Sequence, residues 1–191
     1  MFRTVAKFEK VSFEQFYKDF YDSFNVKDFV EHEDGSIETV ELEPIIHQIY
    51  DNIKLPKRAT TGSAGYDFFS PIELNIKPNT TVKIPTGVRC KIKKNYVLQI
   101  YPRSSFGFKY RLQLDNTTGI IDSDYFYSDN EGHIFIKITN DTHEFKTVEL
   151  KQGEAFAQGI FNKYYLAKED KVKVKRNGGM GSTNENTTKA D

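Results

Sequence analysis

Two carboxylates in the C-terminal half of the chain have the spacing that acid–base chemistry needs. Asp122 and Asp124 are two residues apart and follow an apolar run, residues 119–121, that is typical of a short strand. Side chains at positions i and i+2 of a strand point to the same face, so both can face one site and one of them could act as a general base. The alternative interpretation is that the pair only marks a turn.

Two further segments could bind anions. Arg103, Ser104 and Ser105 place a planar guanidinium beside two hydroxyl groups, although an arginine beside serines is often only a solvated turn. Near the C-terminus, Arg176 precedes the run 178–183 (Gly-Gly-Met-Gly-Ser-Thr), whose backbone N–H groups and hydroxyls also suit phosphate. This run is not a P-loop, because no Gly-Lys-Ser/Thr opens a helix after a strand. It could equally be a mobile tail.

Three other polar patches complete the set of candidate functional segments. Residues 64–67, 116–125 and 153–158 hold more glycines, hydroxyls, charges and amides than loops require. Together with the two anion-binding candidates they make five patches along the chain. Each patch alone is a weak indication of function.

Composition restricts the class of protein. The chain has 191 residues, enough for one domain and an appendage, and its 27 basic residues balance 27 acidic ones, which predicts neither a nucleic-acid nor a membrane partner. No apolar run is long enough to span a bilayer, and the first residues lack the apolar segment of a secretory signal. A single cysteine, Cys90, alternates with Val88 and Ile92, which predicts a buried strand position. With four scattered histidines it offers no zinc cluster, and we expect a cytoplasmic protein.

Two helices are predicted before residue 53. Ser12 is a predicted N-cap with Gln15 as its capping-box partner, and aromatic residues follow at helical spacing as far as Phe24. A second, short helix is expected from Pro44 to Tyr50. We expect the aromatic helix to pack on the rest of the protein, and a contact with another subunit or a regulatory partner is the alternative.

Short strands dominate the rest of the chain. A weak edge strand is possible within residues 1–9, and the main β-type segments lie at 66–69, 81–84, 88–92, 96–101, 119–121, 134–138, 146–150, 155–161 and 171–175. Because turn residues separate these segments, they predict an all-β barrel or sandwich. Residues 178–191 hold few apolar groups and are expected to be mobile when nothing is bound.

Taken together, the five patches resemble the five motifs of the trimeric deoxyuridine triphosphatase (dUTPase) family. The resemblance covers residues 53–184 and includes the segment 84–88, and Asn116, Asp122 and Tyr125 keep the spacing of the third motif. It implies an all-β, jelly-roll-like β-barrel and a homotrimer whose active sites are built from more than one chain. It also implies hydrolysis of dUTP to dUMP and pyrophosphate, which removes dUTP and supplies dUMP for thymidylate synthesis.

The resemblance assigns a role to each matching residue. Asp122 matches the aspartate that orients and deprotonates the water attacking the α-phosphorus. The implied cofactor is Mg²⁺, which is held mainly by the triphosphate and contacted by Asp67 through water. The substrate-binding positions that match are Arg103, Ser104, Ser105 and Gln158 for the phosphates, Asn116, Gly119, Ile120 and Ile121 for uracil, and Tyr125, which leaves no room for a ribose 2′-hydroxyl.

The fifth motif matches less closely. Its matching residues, which would cover the base and hold the γ-phosphate, are Arg176, Met180, Gly181, Ser182 and Thr183. The family commonly has phenylalanine at the position of Met180 and glycine at that of Ser105. The family arginine also stands one residue further from the glycines than Arg176 does. Either Arg176 reaches the γ-phosphate from a shortened loop, or Lys175 shares the task.

The resemblance divides the chain into three parts. Residues 1–52 form an N-terminal extension with an amphipathic helix, residues 53–175 the barrel, and residues 176–191 a flexible arm. The extension and an insertion at 127–133 mostly lack a counterpart in the shortest family members. Two other functions remain open: a nucleotide-binding regulator of a mobile element, and a dCTP deaminase that shares the fold. The run Gly-Ile-Ile-Asp-Ser-Asp-Tyr and the Gly-Ser-Thr of the fifth motif favour hydrolysis.

Overall fold

The computed structural model describes residues 4–27, 29–31, 36–174, 176 and 178, with the backbone alone for 29–31, 37 and 38. Strands predominate, which confirms the prediction of a mainly β fold. Within the described residues, the α-helices are α1 (Phe13–Phe24), α2 (Leu42–Asp51) and α3 (Ser104–Tyr110). The strands are β1 (Ala6–Lys10), β2 (Phe29–Glu31), β3 (Ile37–Thr39), β4 (Lys57–Arg58), β5 (Tyr66–Phe69), β6 (Leu74–Ile76), β7 (Thr81–Pro85), β8 (Val88–Ile92), β9 (Tyr96–Pro102), β10 (Leu112–Leu114), β11 (Gly119–Ile121), β12 (Phe135–Asn140), β13 (Val148–Leu150) and β14 (Ala155–Lys163).

The largest sheet positions most of the candidate site residues. It has five antiparallel strands in the order β11-β9-β14-β5-β4. Strands β9 and β14 pair over seven residues, from Ala157 opposite Pro102 to Lys163 opposite Tyr96. A register shift between Ala155 and Ala157 bends β14 beside β5. Because β14 lies between β5 and β9, residues of three distant parts of the sequence become neighbours.

The other strands form smaller antiparallel sheets. Strands β10, β12 and β7 make one sheet, and the pairs β1–β8, β6–β13 and β2–β3 make three more. Within the described residues, hydrogen-bonded strands therefore fall into five separate sheets and no closed barrel is seen. Their inward faces share one apolar core, whose fully buried members include Leu98, Ile100, Ile136, Ile138 and Phe156.

Helix α1 packs on this core, as its aromatic spacing predicts. Phe16 and Phe20, one turn apart, are both buried, and the helix contacts β7 and α2. Ser12 is the N-cap, because its Oγ accepts a hydrogen bond from the N–H of Gln15 at 3.1 Å. Asn25 ends the helix in the left-handed conformation with φ of 47°.

The capping-box prediction for Gln15 is wrong. Its side-chain amide donates to Asp19 Oδ2 at 2.7 Å instead of returning to the N-cap. The backbone N–H of Ser12 donates to Glu131, from the distant insertion, at 2.9 Å. The acceptor expected from the local sequence is thus supplied by tertiary structure.

Several element boundaries differ from the sequence prediction. Helix α2 begins two residues before Pro44, and α3 and the short strands β4, β6 and β10 were not predicted. The predicted strand at 171–175 is wrong for residues 171–174, which lie in no strand, and their Val172 and Val174 side chains are exposed. Residue 175 lies outside the described residues. Alternating valines and lysines there find no neighbouring strand to pair with.

The buried position predicted for Cys90 is confirmed. The thiol lies in the core, and burial, together with the charge of Glu9, raises its pKa to about 12. A thiol of this kind is unreactive at neutral pH. Among the described residues, no helix has the length and apolar character to cross a membrane.

Candidate active site

Asn116 lies at the tip of a tight turn between β10 and β11. The N–H of Thr117 donates to Leu114 O at 2.9 Å, and that of Thr118 to Asn116 O at 2.6 Å. Thr117 takes a left-handed conformation with φ of 63°, which closes the turn. The side chain of Asn116 is exposed, so its amide is free to meet a ligand.

Strand β11 holds Gly119, Ile120 and Ile121 against β9. Gly119 pairs with Ile100, and a Cβ at Gly119 would lie only 3.1 Å from Ile100 Cβ. A larger residue here would push β11 away from β9. Ile120 is largely exposed and Ile121 half-buried, so the edge strand offers backbone groups as well as apolar side chains.

Tyr125 is fixed from three sides. It begins a short 3₁₀ turn, Tyr125–Tyr127, and its ring is buried. The hydroxyl donates to His133 O at 2.7 Å and accepts from Asn130 Nδ2 at 2.9 Å. Burial is the main cause that raises the pKa of this phenol, so the hydroxyl stays protonated and can donate.

These residues line a cavity of about 460 Å³. The cavity has a size usual for small-molecule sites, and its wall combines apolar side chains with several polar and charged ones. Six of the residues predicted from the sequence lie in its wall: Asn116, Gly119, Ile120, Ile121, Tyr125 and Arg176. The sequence pattern does not identify Lys83, Phe135 and Lys137 as site residues. Strands β7 and β12 contribute them, and only the pairing of these two strands brings them to the cavity.

Asp122 is connected to this cavity through Arg176. The guanidinium lies 2.5 Å from Asp122 Oδ2 through Nη2 and 3.1 Å from Asp124 Oδ1 through Nε. Its centre lies 5.7 Å from the Tyr125 ring centroid. Because one guanidinium contacts both carboxylates, the prediction that Asp122 and Asp124 point to the same side is confirmed.

The charge state of Asp122 depends on these neighbours. Partial burial raises its pKa, the charge of Arg176 lowers it, and Asp124 raises it again; the net result is a pKa above the ordinary value for aspartate. A half-buried carboxylate of raised pKa is a stronger base than a solvated one. Beside a cavity, it is a candidate for proton transfer.

A second group of polar residues lies on strands β5, β9 and β14. Gln158 pairs with Asp67 across β14 and β5. Arg103, which follows β9, lies 3.7 Å from Asp67 Oδ1 through Nε and donates to Ala155 O at 3.5 Å. A Cβ at Gly65 would lie 2.7 Å from Gln158 Oε1, so the first patch approaches this amide closely.

Ser104 and Ser105 begin α3 and are exposed next to this group. Arg103 is the N-cap residue of α3, and no side chain makes a capping hydrogen bond to the start of this helix. A positive guanidinium, two hydroxyls and an amide on one surface can hold an anion with several oxygens. The one carboxylate of the group, Asp67, suits a cation that accompanies such an anion.

The residues predicted from the sequence therefore form two groups in the chain. The wall of the cavity contains none of Asp67, Arg103, Ser104, Ser105 and Gln158. Among the described residues, no cluster of three or more histidine, cysteine, aspartate or glutamate residues could enclose a metal ion. Met180, Gly181, Ser182, Thr183 and Lys175 lie outside the described residues.

The chain is similar to proteins of one family. A family model described as dUTPase matches residues 51–184. The deoxyuridine 5′-triphosphate nucleotidohydrolase of Lactococcus lactis subsp. lactis (strain IL1403) is 40% identical over 134 residues, which cover 69% of this chain and 88% of that protein. The corresponding protein of Finegoldia magna is 34% identical over 139 residues, which cover 69% and 92%.

Solved structures show the same likeness. The crystal structure of dUTPase from Streptococcus mutans is 34% identical and superposes with a TM-score of 0.55 over 74% of this chain and 99% of that one. A mutant dUTPase of phage phi11 of S. aureus, described as coordinating a structural Mg(II) ion, has a TM-score of 0.53 at 22% identity and covers 65% of this chain and 92% of its own. At that identity the likeness concerns the fold alone.

Proposed function

Because this chain belongs to the dUTPase family and hydrolyses dUTP to dUMP and pyrophosphate, we propose that Asp122 is the base that activates the attacking water. The observation that carries this proposal is a half-buried carboxylate of raised pKa at the edge of a nucleotide-sized cavity. The comparisons give no support to the alternatives, a nucleotide-binding regulator of a mobile element or a dCTP deaminase.

The contact of Arg176 with Asp122 suggests how the base becomes available. In the free chain the single positive charge of the guanidinium is shared between Asp122 and Asp124. A triphosphate carries more negative charge than either carboxylate and draws the guanidinium to its terminal phosphate. Asp122 then keeps its charge without a salt-bridge partner and can take a proton from water that lies in line with the α-phosphorus.

The base and sugar are proposed to occupy the cavity. An amide can donate and accept at once, so the exposed side chain of Asn116 suits the uracil edge, and the backbone of Gly119, Ile120 and Ile121 completes the reading. Tyr125 forms the floor beside the sugar. Because its ring is buried and hydrogen-bonded, it cannot move aside for a ribose 2′-hydroxyl.

The phosphates are proposed to contact the second group. Arg103, Ser104, Ser105 and Gln158 supply donors to phosphate oxygens, and the arm adds Met180, Gly181, Ser182 and Thr183 over the base and terminal phosphate. The lone carboxylate of Asp67 fits Mg²⁺ held mainly by the triphosphate, since this ion keeps several waters and needs few protein ligands. When bound, Mg²⁺ neutralises charge on the phosphate oxygens.

A homotrimer is proposed as the active assembly. The cavity wall contains none of the residues proposed for phosphate, which supports sites that combine the two groups from different chains. A jelly-roll-like barrel is the proposed arrangement of the described sheets around their shared core. Residues 1–52, 53–175 and 176–191 remain the proposed extension, barrel and arm, and the cytoplasm the proposed compartment.

Replacing Asp122 by asparagine tests the proposed base. We expect turnover of dUTP to fall by about 10²–10⁴-fold, because a positioned base is lost, while a non-hydrolysable dUTP analogue still binds. Product analysis with dUTP and dCTP measures this and also separates hydrolysis from deamination. Asp22→Asn, the same change at an exposed position of α1, is the control. A variant that keeps more than half of the turnover would contradict the role of Asp122.

A further inference from the structure

The insertion at 127–133 connects the N-terminal extension to the active-site cavity. His133, its last residue, is completely buried. Its Nδ1 lies 2.6 Å from Asp19 Oδ2 of α1, and its Nε2 accepts the N–H of Gly87 at 2.8 Å. Because Nε2 is an acceptor, the proton lies on Nδ1 and is donated to Asp19. The imidazole therefore joins α1 directly to the insertion.

A second contact joins the same two segments. Glu131 accepts the N–H of Ser12 at 2.9 Å and its hydroxyl at 2.6 Å. Burial raises the pKa of Glu131, but these two hydrogen bonds and the nearby charge of Arg89 outweigh it and lower the pKa overall. Glu131 is thus a carboxylate that holds the start of α1.

The insertion also contacts Tyr125. The Tyr125 hydroxyl donates to the carbonyl of His133 at 2.7 Å, and Asn130 of the insertion donates to that hydroxyl. Gly132, with φ of 71°, lies so close to the same turn that a Cβ would be 2.6 Å from Tyr125 O. Any displacement of His133 or Gly132 therefore moves Tyr125.

We propose that Asp19 and Glu131 are positioning residues for sugar selection, which fix Tyr125 through the insertion. This inference rests on the proposed role of Tyr125 at the sugar. The family match begins at residue 51, so the extension that carries Asp19 lies outside it. The substrate selectivity of this chain thereby depends on a segment that contacts no substrate.

Anchoring of α1 does not by itself account for these polar contacts. Phe16 is completely buried, and its ring lies 3.3 Å from the position of a Cβ on Gly87, so apolar packing already holds the helix. A carboxylate beside a buried imidazole is costly to desolvate. Such a contact therefore contributes to a defined orientation of the two groups more than to the free energy of packing. Both polar contacts lead to the insertion, and through it to the phenol in the cavity wall.

The test compares selectivity between dUTP and UTP in variants of the full chain. Asp19→Ala and Glu131→Ala break the two contacts, and Asp19→Asn keeps an acceptor for the imidazole N–H. Asp22→Ala is the matched control on the exposed side of α1. For each variant, kcat/KM is measured for both nucleotides, together with the melting temperature.

We expect the ratio of kcat/KM for dUTP to that for UTP to fall about tenfold in Asp19→Ala and Glu131→Ala, which corresponds to the loss of roughly one hydrogen bond from the positioning of Tyr125. The ratio falls mainly because UTP becomes a better substrate. Asp19→Asn and the control keep the wild-type ratio. A purely structural role would lower the melting temperature and affect both nucleotides equally.

Variants of Tyr125 separate this inference from the role on which it rests. Tyr125→Phe removes only the hydroxyl, and we expect it to lower the dUTP-to-UTP ratio as much as Asp19→Ala does. The double variant Asp19→Ala/Tyr125→Phe should show no further decrease of this ratio. If the ratio is unchanged in Asp19→Ala and Glu131→Ala but lower in Tyr125→Ala, this inference is overturned and the role of Tyr125 stands. An unchanged ratio in Tyr125→Ala overturns the role of Tyr125 as well. If an alanine variant does not fold, Tyr125→Phe decides: an unchanged ratio in it overturns the coupling.

Discussion

At the residue scale, the chemistry depends on the charge balance around Asp122. One guanidinium, that of Arg176, is shared by two carboxylates of which Asp122 is the more buried. A base needs to be ionised and yet basic, and partial burial beside Asp124 moves its pKa in the useful direction. The charge of Arg176 lowers the pKa of Asp122, but only while the guanidinium stays in contact with that carboxylate.

Asp124→Asn should move the acidic limb of the pH profile to lower pH. The active form of a general base is the carboxylate, so activity is lost as pH falls through its pKa, and a raised pKa places that loss at higher pH. Removing the neighbouring charge lowers the pKa of Asp122 and extends activity into acid. The measurement is kcat/KM for dUTP against pH, which reports groups of the free enzyme. An acidic limb that moves to higher pH would refute this electrostatic account.

At the element scale, the start of the arm contacts both the acidic pair and the insertion. Arg176 contacts the acidic pair, and Gly178 accepts a hydrogen bond from Ser128 of the insertion at 3.2 Å. The arm therefore begins between the proposed catalytic residue and the segment that fixes Tyr125.

Deleting residues 176–191 should reduce turnover by about 10²–10³-fold, the typical effect of removing a group that stabilises charge on a reacting phosphate. Folding should be retained, because the segment is polar and glycine-rich and its described residues, Arg176 and Gly178, lie outside the apolar core. Turnover and melting temperature are measured for this truncation and for one that removes only residues 185–191, which lie beyond the family match. Full activity in the longer truncation would show that the arm is dispensable.

At the scale of the whole molecule, one chain presents two half-sites. The cavity gathers the groups proposed for base and sugar, and the surface around Arg103 gathers those proposed for phosphate. The two halves are combined either within one chain or by a second copy that supplies the other half. In the proposed homotrimer each chain supplies one half to a site that it shares with a neighbouring chain, which gives three complete sites.

Mixing two inactive variants distinguishes these possibilities. Asp122→Asn disables one half-site and Arg103→Ala the other. If each site combines halves from different chains, an equal mixture refolded together should recover about one quarter of the wild-type activity, because each half is intact in half of the chains. Either variant refolded alone is the control. A mixture that stays inactive, although its chains exchange, would place both halves of the site in one chain.

The sequence by itself determined the features that depend on neighbouring residues. Alternation and helical spacing predicted most strands and the buried face of α1, and the spacing from Asn116 to Tyr125 identified the third motif. These signals are local, because a strand repeats every two residues and a helix turn closes within four. The strand predicted at 171–175 is wrong for residues 171–174 for the same reason, since alternation alone does not supply a pairing partner.

Only the tertiary structure decided which distant residues meet. Glu131 takes the place of the Gln15 side chain as acceptor of the Ser12 N–H across 119 positions of sequence, and His133 contacts Asp19 across 114. Neither pairing leaves a periodic signal, because each depends on how β7, β8 and α1 pack together. The assignment of the predicted site residues to two separate groups has the same cause. Strand order in a sheet, and not distance along the chain, determines which side chains share a surface.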